Sequence, residues 1–178
     1  MNLPKVEVKK ILYATDLSEN ARYAFAYAVS LADHYHAAIT MIHVLPEVPG
    51  IIDKNVIGYI SADRWEEIKS QNVNEAREAL IRKRRDHLVI RDALHQFSEN
   101  VKESHEGNGF VTDDIIVERG NPVEQIIKQA EEKNCDLIVM GTHGHGTLAD
   151  AMMGSTARRV LRRSAKPVLV VRLPEEKS

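Results

Sequence analysis

The sequence predicts an α/β fold: five strands in one parallel sheet, with helices on both faces. Three observations predict it. Short apolar runs alternate with stretches whose apolar residues recur at helical spacing, and such alternation implies a parallel sheet covered on both sides. The run Leu137-Ile138-Val139-Met140 is continuous and β-rich, as a strand buried on both faces requires. That run stops at a glycine, and a helical pattern begins soon after it. The chain shows no internal repeat and no low-complexity tract.

Taken in order, residues 11–14 read as the first strand, broken by Thr15-Asp16-Leu17-Ser18. Ser18 is a good N-cap for a helix that sets Ala21, Ala24, Phe25, Ala28, Leu31 and Ala32 on one face. Residues 38–45 are a second strand, ended by Pro46 and Pro49-Gly50. Residues 47–110 read as an extended helical and loop insertion inside a single domain spanning 1–178. Its first part, 51–60, is apolar but broken by Asp53, Lys54 and Gly58. Beyond Ser61, Trp65, Ile68, Ala76, Leu80, Leu94, Phe97 and Val101 recur at helical spacing, which predicts one long helix or two.

Residues 115–117 are a third strand. Gly120 follows, and Asn121-Pro122-Val123-Glu124 then supplies an N-cap, a proline at the first helical position and a glutamate at the capping-box position. Val123, Ile126, Ile127 and Ala130 form that helix's buried face. The fourth strand is 137–140. In the helix after it, Ala157, Val160, Leu161 and Ser164 share one face and Arg158, Arg159, Arg162 and Arg163 the other. Residues 167–171 are the last strand.

Ligands of such sheets bind beyond the carboxyl ends of the strands, where strand order reverses. With the first and fourth strands as neighbours, Asp16 and Gly141 converge on one crevice. The stretch CDLIVMGTHGHGTLADAMMGST, 135–156, reads as strand, glycine loop, hydroxyl pair and helix. That order suits an anion. Glycine lets main-chain N–H groups approach, and a helix N-terminus adds unpaired donors and a positive dipole end. A Walker loop is excluded, since it needs Gly-Lys-Ser/Thr and no lysine lies between Lys133 and Lys166. The dinucleotide fingerprint is excluded too, since Gly141, Gly144 and Gly146 give G-x-x-G-x-G.

The spacing present is Gly141, two residues, Gly144, nine residues, Gly154, Ser155. It resembles the ATP-binding pattern of the universal stress protein family. Further likeness lies in KILYATDLSENA, in IHV at the second strand's end, in DLIVMGTHG and in KPVLVVR. Only about 47–110 falls outside the resemblance. It implies a flavodoxin-like, Rossmann-like sheet in strand order 3-2-1-4-5 and a homodimer formed through the last strand. It also implies bound ATP, which Mg²⁺ can accompany. Asp16 would accept from the ribose or sit beside the adenine, and Val44 would meet the adenine edge, with Ala14 and Thr15 alongside. Met140, Gly141, His143 and Gly144 would wrap the ribose and inner phosphates, with His145 touching phosphate. Gly154, Ser155 and Thr156 would hold the outer phosphates.

Plainer readings stand beside these. Asp16 and Ser18 also fit a turn with a helix cap. His43 reads as a satisfied core histidine, and Cys135 as an inert buried thiol. His143 and His145 lack the third and fourth partners that a zinc site needs. Arg82-Lys83-Arg84-Arg85 is flanked by acids and reads as a solvated helix face. The net charge of −2 in 178 residues calls for no nucleic acid partner. One cysteine, no apolar signal core and no membrane-length run make the cytoplasm the expected compartment. Three functions remain open: a nucleotide-binding regulator or sensor, a slow ATPase or phosphotransferase, and an interaction protein with an empty pocket. Between Gly141 and Ser155 only Asp150 is acidic and no Lys or Arg occurs, which weighs against phosphoryl transfer.

Overall fold

The computed structural model describes residues 3, 5–45, 84–105, 109–143 and 153–174. Its strands are β1 (Lys10–Thr15), β2 (Ala38–Leu45), β3 (Val111–Arg119), β4 (Leu137–Gly141) and β5 (Val168–Val171). They form one parallel sheet in the order β3-β2-β1-β4-β5. This is the expected winding, with the first and fourth strands side by side. The helices are α1 (Glu19–Tyr35), α2 (84–104), α3 (Pro122–Glu132) and α4 (Ser155–Arg163). None of the described helices is long and apolar enough to cross a membrane.

Alternation along β1 divides the core, because successive side chains point to opposite faces. Ile11 and Tyr13 pack with Phe25 of α1 and Leu94 of α2. Leu12 and Ala14 pack with Val123 and Ile126 of α3 and Val160 of α4. Each large apolar side chain fully buried here stabilises the fold by roughly 1.5–3 kcal/mol. The first layer is aromatic. The Phe25 ring centroid lies 4.8 Å from Tyr13, 5.0 Å from Phe97 and 5.7 Å from Phe110. The buried Tyr13 hydroxyl donates to the Ala21 carbonyl at 2.7 Å, which satisfies it.

The expected caps form. The Ser18 hydroxyl accepts from Ala21 N–H at 3.2 Å, and Asn121 Oδ1 accepts from Val123 N–H at 2.9 Å. Leu94, Phe97 and Val101 turn α2 onto the aromatic layer, as their spacing predicts. Trp65, Ile68, Ala76 and Leu80 lie outside the described residues. Cys135 is fully buried, and burial pushes its thiol up to about 11.

Two expectations need correction. The third strand is not three residues but nine, and its first half is polar: Val111-Thr112-Asp113-Asp114. Those carboxylates are neutralised from afar. Lys10 Nζ lies 2.6 Å from Asp113 and Lys133 Nζ 2.7 Å from Asp114. A register shift between Ile39 and Thr40 also makes Asp113 an extra residue, and its Oδ1 accepts from Thr40 Oγ1 at 2.7 Å. The second correction is in α4. Leu161 is 46% exposed, because the buried stripe of this helix is only as wide as Ala157 and Val160.

Candidate functional site

A cavity of about 470 Å³ opens beyond the carboxyl ends of β1, β2 and β4, at the start of α4. Its volume falls in the range of small-molecule sites. Ala14, Thr15 and Asp16 line it from β1 and its exit, and Val44 from β2. Met140, Gly141 and His143 line it from β4 and its exit, and Gly154, Ser155 and Thr156 from α4. Every expected site residue that the structure describes therefore meets the others here. Gly144 and His145 lie outside the described residues.

The exit from β1 is a built turn. Ser18 N–H and O–H both donate to Asp16 Oδ1, at 3.0 and 2.6 Å, and Leu17 N–H donates to Thr15 Oγ1 at 3.0 Å. Leu17 sits at φ +69°, a left-handed backbone that costs an L-residue about 1–2 kcal/mol. The turn reading of Asp16 is therefore met. One oxygen ties the turn, and the residue still lines the cavity. His43 is buried, and its Nδ1 lies 2.9 Å from the Thr15 carbonyl. A carbonyl only accepts, so Nδ1 carries the hydrogen, and in the neutral ring Nε2 is left as an acceptor. His43 lines the cavity as well. The core-histidine reading accounts for its burial and its bond, and the ring stands in the cavity wall.

The two described glycines of the pattern serve close approach of protein to protein. A Cβ on Gly141 would lie 3.1 Å from Asn20 Cγ and 3.3 Å from the Asn20 carbonyl carbon. A Cβ on Gly154 would lie 2.9 Å from the Thr142 carbonyl oxygen. Gly154 N–H donates to that same oxygen at 2.8 Å, so the connection between β4 and α4 is tied closed at its base. α4 has Gly154 as N-cap, no acid in its first turn and, among the described residues, no side-chain cap bond. By contrast, α1 has Ser18 and Glu19, and α3 has Asn121 and Glu124. The start of α4 thus keeps donors and a positive dipole end toward the cavity.

Sequence reasoning missed Thr142, and it read Ile126 only as packing and Pro122 only as a helix start. All three line the cavity. Nothing in the glycine spacing singles out Thr142, because its importance lies in its main-chain partners. Its N–H donates to Val171 of β5 at 2.9 Å.

The sequence profile of the universal stress protein family matches residues 7–172. The chain belongs to the universal stress protein family. A curated family member, the universal stress protein MJ0577 of Methanocaldococcus jannaschii, is 32% identical over 176 residues, covering 94% of this chain and 96% of the relative. The solved structure of MJ0577 superposes with a TM-score of 0.57 at 29% identity, covering 96% of this chain and all of the other. Two more distant structures share the fold. A universal stress protein solved with cAMP has a TM-score of 0.57 at 17% identity, covering 93% of this chain and 98% of the other. One from Archaeoglobus fulgidus solved with dAMP has a TM-score of 0.52 at 19% identity, again covering 93% and 98%.

Proposed function

We propose that this chain binds an adenine nucleotide, ATP, in the cavity and acts as a regulator or sensor in a stress response. One observation carries the reading. A single cavity joins the ends of β1 and β2, the β4 exit and an acid-free helix N-terminus. That is an apolar floor for a base and a donor-rich end for phosphates. Ala14, Ile42 and Val44 suit the base, and Asp16 the ribose hydroxyls, since a carboxylate is acceptor-only. The N–H groups and hydroxyls of Ser155 and Thr156 suit an anionic tail. The cAMP and dAMP held by two proteins of the same fold support an adenine nucleotide as the ligand class. The glycine spacing supports ATP among such nucleotides.

The test is extraction. Heating the purified protein and chromatographing the supernatant is expected to release adenine nucleotide. Adding ATP to stripped protein is expected to raise Tm, because a ligand that binds only the folded state stabilises it. No nucleotide in the extract and no shift with ATP, ADP or AMP would overturn the reading. We also propose that a second copy pairs with β5, an edge strand whose Val168, Leu169 and Val170 are only partly buried. Light scattering that gives a monomer mass would count against this.

A further inference from the structure

We propose that Asn20, Thr142 and His143 form a positioning unit that sets the site's affinity for the phosphate chain. The proposal rests on the nucleotide reading above and deepens it.

Asn20 is in the first turn of α1 and is 7% exposed. Its Nδ2 donates to Thr142 Oγ1 at 3.2 Å and to the His143 carbonyl at 3.1 Å. The carbonyl fixes the amide's orientation, since an acceptor must face the nitrogen. Thr142 Oγ1 lies in turn 3.1 Å from His143 Nδ1, so the chain of bonds runs from α1 to an imidazole that lines the cavity. The main chain of Thr142 is held by Val171 of β5 and by Gly154 at the start of α4. One residue pair thereby joins α1, β5 and both ends of the β4–α4 connection. The missing Cβ of Gly141 lets Asn20 come close enough to do this.

Packing alone does not explain the amide. Asn20 Oδ1 is buried without a partner among the described residues. Such an orphan costs about 1–3 kcal/mol, which an aliphatic residue of the same size would avoid. The return on that cost is the pair of bonds to Thr142 and His143. Those residues stand at the α4 end of the cavity, where the phosphates belong. The base end, at Thr15 and Val44, is built by β1 and β2 and does not pass through Asn20. Loosening the unit therefore weakens phosphate binding and spares the nucleoside.

The experiment is calorimetric titration of the full chain with ATP and with adenosine. It compares wild type, Thr142→Val, Thr142→Ser and Asn20→Leu. Thr142→Val keeps the shape and loses the hydroxyl. Thr142→Ser keeps the hydroxyl. The ATP Kd is expected to rise about tenfold in Thr142→Val and Asn20→Leu, the worth of one hydrogen bond. Adenosine affinity is expected to stay within about twofold, and Thr142→Ser to restore ATP binding. The ¹⁵N signals of His143 are expected to show one fixed tautomer in wild type and exchange in Thr142→Val. Parallel losses for ATP and adenosine, or unchanged ATP affinity in Thr142→Val, would overturn the proposal while leaving nucleotide binding intact. Wild-type protein that binds neither ligand would overturn both. If Asn20→Leu fails to fold, the two Thr142 variants decide alone.

Discussion

At the amino ends of the strands, charges close on one another. Asp113 meets Lys10, Asp114 meets Lys133, and Asp136 Oδ2 accepts from the N–H groups of Lys9 and Lys10 at 2.8 and 3.0 Å. A groove of about 240 Å³ lies there too, lined by Arg91, His95 and Asp114 among others, but its three acids, Glu99, Asp113 and Asp114, are each committed to a lysine. At the carboxyl ends the arrangement is reversed. Among the described residues the cavity's lining carries one carboxylate, Asp16, glycines admit backbone to backbone, and a helix start faces the cavity. The difference teaches that charge density is a poor marker of a site in this fold. Close main-chain approach beside an uncapped helix is a better one.

The strongest way to break that comparison is at Gly154. In Gly154→Val a side chain meets the Thr142 carbonyl, and neither backbone can retreat without opening the loop's base. A stability loss of about 1–3 kcal/mol is expected, with ATP binding lost, as read by urea melts and calorimetry. A variant that keeps both would show that the close approach is dispensable. Gly141→Ala should cost less than Gly154→Val, since the obstacle is chiefly the Asn20 side chain. Adding Asn20→Ala should recover part of the loss, and strictly additive melting results would contradict the contact.

The amino end sharpens the contrast by what it leaves untouched. Lys133→Ala is expected to cost little stability, because the pair is partly exposed, and to leave ATP affinity unchanged. The hydrogen bond from Lys133 holds the Asp114 carboxyl below its usual value of 3.8, against an opposing effect of burial. The folded pKa is therefore the lower one. Its stabilisation is present above the unfolded carboxylate value and is lost as pH falls through the folded one. Urea melts of wild type and Asp114→Asn should converge in that acid window. A gap that stays constant there would contradict the pairing.

The sheet was legible because β1, β2, β4 and β5 are largely apolar and two of the helices carry caps that short-range chemistry dictates, Ser18 and Asn121. The placement of Asp16 and Gly141 around one crevice followed from strand order, and that of Val44 from the family resemblance. What escaped was set by distant partners. The polar half of β3 is tolerated only because Lys10 and Lys133 arrive from elsewhere in the chain. Asn20 reaches Thr142 across 122 residues, so no local pattern announces the pair. The glycine pattern itself was readable, but the close contacts that require Gly141 and Gly154 were not, since each depends on which backbone lies opposite.

The most direct test follows amide shifts in ¹H–¹⁵N spectra while ATP is titrated into the full chain. Saturable changes are expected at Asp16, Val44, Gly141 and Gly154 through Thr156, with Asp113, Asp114 and Lys133 unmoved. Spectra that do not respond, or changes centred on Arg91 and Asp114, would contradict a nucleotide site at the carboxyl end of the sheet.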